Sequence, residues 1–135
     1  MNLALSCTLS PSDSSTLKLV LDHSVCVLDA LYLRDSVARQ KISVQLSLEK
    51  VMELRSIIDA VLSGNSSWET LVVDESAVSI VVRATKNQNP SANKQFEIKV
   101  EKHSTTEPKF ITFIDSAKSL CGLNNYLTAI QLKMY

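Results

Sequence analysis

Apolar and polar residues alternate along four short segments in the first half of the chain. Such alternation is typical of strands that bury one face. The segments are 3–9, 17–21, 25–34 and 41–47. Residues 25–34 are almost continuously apolar, which also fits a helix, but their β-branched start and the short turns around them favour a strand. Segments 10–15 and 35–40 are predicted to connect these strands, and 10–15 is rich in serine.

After residue 47 the period of the apolar positions changes from two to 3.6 residues, which predicts a helix. Ser47 is a typical N-cap residue, and Glu49 lies in the first turn, where the helix dipole favours a carboxylate. Gly64 suits the left-handed position that follows a helix. The apolar stripe consists of Val51, Leu54, Ile57, Ile58, Val61 and Leu62. We expect about four helical turns that bury this stripe.

The second half of the chain repeats this order of elements. Strands are predicted at 68–75, 77–85, 94–103 and 109–114, with a turn at 74–76 and a polar loop at 86–93. Asp115 or Ser116 then caps a second helix. The apolar stripe of that helix is Leu120, Leu123, Tyr126, Leu127 and Ile130.

A shift of 69 residues brings the two halves into register. The matching apolar pairs are Ile42 and Ile111, Val44 and Phe113, Val51 and Leu120, Leu54 and Leu123, Ile57 and Tyr126, Ile58 and Leu127, and Val61 and Ile130. Any two helical stripes can be aligned, so the extension of the match into the preceding strand is the stronger evidence. We predict an α+β fold of two ββββα repeats, approximately 1–66 and 67–135, within one domain. Its sheets would be antiparallel and its two helices packed on one side.

The composition is that of a folded domain, with 45% hydrophobic and 21% charged residues in a chain of 135. The net charge is zero, which gives no support to nucleic-acid binding and favours self-association. Three widely spaced cysteines, with no signal-peptide or membrane-span pattern, predict a soluble, intracellular protein with reduced thiols. We expect no enzyme, cofactor or metal site, since no catalytic or ligand spacing stands out, and His23 and His103 are expected to be exposed bystanders.

Two segments carry a resemblance to known proteins: ISVQLSLEKVMELRSIIDAVL (42–62) and FITFIDSAKSLCGLNNYLTAI (110–130). The order and spacing of elements around them resemble the whirly, PUR-repeat and positive-cofactor-four-like group of single-strand nucleic-acid-binding folds. The resemblance implies curved antiparallel sheets, bases stacked on exposed aromatic rings, a backbone tracked by lysine and arginine, and assembly into dimers or larger rings. Homo-oligomerisation is therefore expected as well.

The candidate nucleic-acid-binding residues follow from the need for cations and planar rings on a sheet face. In the second half they are Arg83, Lys86, Lys94, Lys99, Lys102 and Lys109. In the first half Lys18, Tyr32, Arg34 and Lys41 are expected to share an outer sheet face. Each group has a structural alternative: a solvated face of mixed charge for the first, and cross-strand packing for Tyr32 with Arg34. Trp68 is either a stacking platform or a core residue.

Two functions remain open at this point. The resemblance favours a non-catalytic protein that binds single-stranded DNA or RNA. The neutral charge and an aromatic content of only 5% favour a protein-interaction module, such as a viral accessory or host-defence inhibitor that acts through a sheet face or edge.

Overall fold

The computed structural model describes residues 2–74, 78–85, 95–103 and 109–134. They form two successive units, each a four-stranded antiparallel sheet followed by a helix, with the strands of each sheet in sequence order. The first unit contains β1 (Asn2–Thr8), β2 (Asp13–Asp22), β3 (Val25–Arg34), β4 (Val37–Leu46) and α1 (Leu48–Leu62). The second contains β5 (Trp68–Asp74), β6 (Val78–Ala84), β7 (Gln95–Lys102), β8 (Lys109–Ser116) and α2 (Ala117–Met134). The predicted tandem ββββα arrangement is confirmed.

The predicted connections of the first sheet are too long, and the strands on either side of them extend further. β2 begins at Asp13, so only the start of the serine-rich segment turns the chain. Within that turn the Ser10 hydroxyl donates to Asp13 Oδ2 at 2.8 Å, and the Leu9 N–H donates to the Asp13 carbonyl at 2.9 Å. β4 begins at Val37 and includes most of the predicted connection 35–40. The turn-forming residues predicted the positions of the two turns correctly, but the pairing of the strands makes both turns shorter than predicted.

The turn between β3 and β4 has an unusual backbone for its sequence. Asp35 and Ser36 have φ angles of 52° and 64°, and consecutive positive φ angles are what a type I′ hairpin turn requires. Glycine or asparagine normally occupies such positions, because a Cβ atom is strained in the left-handed region. Ser36 therefore carries backbone strain that the paired strands overcome.

Both helices are capped as their sequences predict. The Ser47 hydroxyl accepts from the Lys50 N–H at 3.3 Å, and Gly64 after α1 has φ +81°. At the start of α2, the Ser116 hydroxyl accepts from the Ser119 N–H at 3.4 Å, which makes Ser116 the cap of the two candidates. These bonds satisfy N–H groups that the first helical turn leaves unpaired.

The buried apolar side chains of both units form one cluster. Helix α1 packs against α2 and against β5 and β6 of the second unit, while β8 contacts all four strands of the first sheet. Each of the seven residue pairs matched by the repeat has members of the same burial class: Ile57 and Tyr126 are half-buried, and the others are buried. The repeat therefore describes one core shared by two similar units.

The cysteines lie in three different environments. Burial raises the pKa of Cys26 to about 11. Cys7 of β1 accepts a hydrogen bond from the Ile114 N–H of β8 at 3.4 Å, which joins the two sheets, and Cys121 is exposed on α2. All three are free thiols. No helix in the described part of the chain is long and apolar enough to cross a membrane.

The strain at Ser36 leads to a stability prediction. Ser36→Gly should raise the free energy of unfolding by about 0.5–1 kcal/mol, because relief of the left-handed strain exceeds the added entropy of the unfolded chain. Gln45→Gly, at an exposed and extended position of β4, should lower it by about the same amount and serves as the control. Urea denaturation would measure both values. A loss of stability in Ser36→Gly would contradict the left-handed assignment.

Candidate nucleic-acid interface

The second sheet turns one face to the core and the other outward. Strand pairing and the alternation of buried residues assign twelve residues to what we name the second-sheet outer face. They are Trp68, Thr70, Val72, Ser79, Val81, Arg83, Glu97, Lys99, Glu101, Phe110, Thr112 and Ile114. This set includes two cations that the sequence singled out and two aromatic rings.

Both aromatic rings on this face are open to solvent. Trp68 is 61% exposed and Phe110 is 59% exposed, so neither belongs to the core. Trp68 is the cross-strand partner of Arg83, and the Lys99 ammonium lies 4.6 Å from the centroid of the Phe110 ring. Each ring thus has a cation beside it, which is the combination that a stacked base and its phosphate need.

Carboxylates hold both of these cations. Arg83 Nε lies 2.9 Å from Glu97 Oε1, and Arg83 Nη2 donates to Glu97 Oε2 at 3.0 Å. Lys99 Nζ lies 2.9 Å from Glu101 Oε1. The face is therefore amphipathic and close to neutral, and it lacks the excess positive charge of a strongly salt-dependent phosphate track.

A groove opens between Trp68 and Arg83 at one corner of this face. It is open to solvent, has a volume of about 660 Å³, and is lined by Ser67, Trp68, Val81, Arg83, Ala84 and Thr85. Backbone bonds fix its rim, since the Ala84 N–H donates to the Ser67 carbonyl at 3.0 Å and the Thr85 N–H donates to the Gln95 carbonyl at 2.9 Å. The indole ring and the Arg83 side chain therefore line the same open groove.

The two histidines differ in their surroundings. His23 is 95% exposed in the β2–β3 turn, 3.6 Å from the Asp22 carboxylate, as expected of a bystander. His103 has more contacts than expected, since its Nε2 lies 3.0 Å from the Ser79 hydroxyl and 3.8 Å from Glu101 Oε2. The same nitrogen faces both groups, so the carboxylate cannot orient the ring through its other nitrogen, as a catalytic triad would require.

The predicted shared face in the first sheet is wrong for two of its four residues. Lys18 and Lys41 are exposed on the outer face. Tyr32 and Arg34 lie on the opposite side of β3, because Tyr32 is paired with the buried Ser15. The strand 25–34 is apolar on both faces, so its sequence contained no alternation from which to choose the phase.

Tyr32 has a structural partner on its own side of the sheet. Its hydroxyl donates to Asp13 Oδ1 at 2.7 Å, and this bond joins β3 to the start of β2. The hydrogen bond from Tyr32 lowers the pKa of Asp13, and the same bond raises the pKa of Tyr32. Tyr32 therefore has a cross-strand structural role in the first sheet.

The predicted basic track of the second half is divided by the fold. Arg83 and Lys99 lie on the second-sheet outer face, whereas Lys102 and Lys109 face each other at the end of β7 and β8, on the side of the buried Val78. Lys86 and Lys94, two further sequence candidates, lie outside the described residues, as do Glu75 and Ser76 of the predicted turn.

Phe110 is a prominent residue of this face that was not among the sequence candidates. The signal was present, because the repeat assigned Ile111 and Phe113 to the core, and alternation then turns Phe110 outward. Trp68 was weighed as either a stacking platform or a core residue, and its exposure removes the core alternative.

Comparisons with known proteins identify the fold. No family model matches the sequence, and no curated protein is significantly similar to it. Among solved structures the chain is similar to Trypanosoma brucei MRP1/MRP2, with 18% identity, a TM-score of 0.64, and coverage of 96% of this chain and 81% of that one. It is also similar to a guide-RNA-binding protein complex bound to a gRNA, with 18% identity and a TM-score of 0.63. That match covers 96% of this chain and 89% of the other. Arabidopsis thaliana WHY3 is similar with 11% identity and a TM-score of 0.57, and the match covers 98% of this chain and 88% of WHY3. The chain therefore has a whirly-like fold.

The Tyr32–Asp13 bond gives a pH-dependent prediction. Because the pKa of Asp13 is lowered in the folded protein, the bond stabilises the fold above the ordinary aspartate pKa of about 3.9, and this contribution is lost as pH falls through the lowered value. Tyr32→Phe should therefore lower the melting temperature at pH 7, and the difference from the wild type should shrink below about pH 4. A pH-independent difference in thermal melts would contradict this role.

Proposed function

We propose that this protein binds single-stranded DNA or RNA through the second-sheet outer face and does so without catalysis. The observation that carries this proposal is the placement of two exposed rings, Trp68 and Phe110, each beside a cation on one open sheet face. Rings that stack on bases together with cations that meet phosphates are the general means of single-strand binding.

The similar solved structures support the same class of ligand. One is described as bound to a gRNA, and another is described as a plant transcriptional regulator. The shared property is the fold, which does not by itself fix a function. The argument for this chain therefore depends on its own exposed rings and cations.

The distance between the rings determines how a strand would lie. Trp68 lies on β5 and Phe110 on β8, the two edge strands of the sheet, and they are near opposite ends of these strands. The spacing between strands and the rise per residue along them place the two residues about 20 Å apart. Stacked bases are about 3.4 Å apart along a strand, so the rings would hold bases several nucleotides apart. A strand would cross the sheet diagonally and pass Val81 and Lys99.

Two further expectations accompany the proposal. We expect the protein to act inside the cell, where three free thiols stay reduced. We also expect it to self-associate, because Leu132 on α2 is 68% exposed and Met52 on α1 is 45% exposed, which leaves apolar surface on both helices.

A protein partner is the second candidate, and the carboxylate pairing of Arg83 and Lys99 favours it. A neutral face with exposed aromatic residues is also typical of protein interfaces. The two functions differ in their response to salt, because phosphate contacts release counterions and an apolar protein contact does not.

Trp68→Ala provides the test, because Trp68 is the only tryptophan in the sequence and its fluorescence reports stacking directly. Single-stranded oligonucleotides should quench the wild-type fluorescence. In fluorescence anisotropy with labelled oligonucleotides, the variant should bind about 1–3 kcal/mol more weakly. Val37→Ala, which truncates an exposed apolar side chain on β4 outside the second-sheet outer face, is the control and should leave the affinity unchanged. If no single strand binds at about 50 mM salt, the proposal is wrong.

A further inference from the structure

The guanidinium group of Arg83 is held along one of its two bidentate edges. Its Nε and Nη2 atoms pair with the two oxygens of Glu97, at 2.9 Å and 3.0 Å. Arginine has five N–H donors in a planar fork, and this pairing uses the edge formed by Nε and Nη2. The edge formed by Nη1 and Nη2 is directed away from Glu97 and remains a second, parallel pair of donors.

Glu97 keeps this arrangement fixed. Its side chain is only 9% exposed, whereas that of Arg83 is 53% exposed. Withdrawing the arginine would leave a buried carboxylate without its partner, which is strongly unfavourable. Arg83 is therefore held in one orientation beside Glu97. It is suited to presenting a rigid pair of donors to a planar ligand.

The same arginine and the Trp68 ring line one groove. A base stacked on the exposed indole face would lie in the groove with its edge toward Arg83. Guanine carries two neighbouring acceptors, O6 and N7, on one edge, and they match an arginine fork. Adenine offers one acceptor and one donor on that edge, cytosine offers a donor, and thymine or uracil offers a single acceptor.

We propose that the groove between Trp68 and Arg83 is a guanine subsite, in which Trp68 stacks on the base and Arg83, positioned by Glu97, donates to O6 and N7. The inference rests on the proposed single-strand binding and adds base specificity at one position to it. Phe110, beside the flexible cation of Lys99, has no such fork and would accept any base.

The test compares thymine oligonucleotides of about 12 nucleotides that differ only at one central base. A single guanine in place of thymine should tighten binding to the wild-type protein about tenfold. Inosine keeps O6 and N7 and should retain the gain. In 7-deazaguanine N7 is replaced by carbon, so the gain should be lost. A single guanine also avoids association between guanine-rich strands.

Substitution of Arg83 separates base recognition from general affinity. Arg83→Lys keeps the positive charge beside Glu97 but lacks the fork, so the ratio of its affinities for the guanine and thymine strands should fall to about one. The double variant Arg83→Gln with Glu97→Gln leaves no unpaired charge and should also lose the preference. Lys99→Ala, on the same face, should weaken binding to both strands equally and keep the preference.

Three outcomes would overturn the guanine subsite while leaving single-strand binding intact. They are equal affinity for the guanine and thymine strands, a preference that survives 7-deazaguanine, and a preference that survives in Arg83→Lys. Failure to bind any strand would instead remove the proposed function itself. Competition by guanosine monophosphate that depends on Arg83 would extend the subsite to free nucleotides. Lack of competition, with the strand preference intact, would confine it to polynucleotides.

Discussion

The structure depends on one constraint: neither four-stranded sheet with its helix can bury its apolar surface alone. Helix α1 follows the first sheet in the chain but packs on β5 and β6 of the second, and β8 of the second sheet packs against the first. The resulting apolar cluster contains residues from both units. Since the core-facing sides and helical stripes are used in this way, the outer sheet faces are the surfaces left for recognition.

The two outer faces are not equivalent, although the repeat makes their backbones similar. In the first sheet Lys18 is the register partner of Asp29 on the neighbouring strand, and the Asp29 carboxylate accepts from the Ser43 hydroxyl at 2.5 Å. The second sheet instead exposes Trp68 and Phe110. The repeat thus accounts for the shared core, and the differences between the repeats account for the candidate site. Binding through rings agrees with a face whose cations are already paired, because stacking needs no excess charge.

Much of the fold could be predicted from the sequence because the core has a clear period. Ile42 with Ile111 and Val44 with Phe113 are buried pairs in strands, and the helical stripes followed the same shift. Prediction failed where the period gave no information. Strand β3 is apolar on both faces, so its sequence did not show on which face of the sheet Tyr32 lies. The left-handed turn at Ser36 contains neither glycine nor asparagine, the residues that would have indicated it. The pairing of Arg83 with Glu97 depends on strand register, which the sequence pattern did not define.

The central claim is that a single strand lies on the second-sheet outer face. The most direct measurement is a titration of isotope-labelled protein with a single-stranded oligonucleotide, followed by backbone and indole N–H chemical shifts. We predict that the largest shifts belong to the Trp68 indole and to the backbone amides of Arg83, Lys99 and Phe110, with α1 and α2 almost unchanged. Shifts concentrated on the helices, or around Arg34 and Lys41 of the first sheet, would contradict the account.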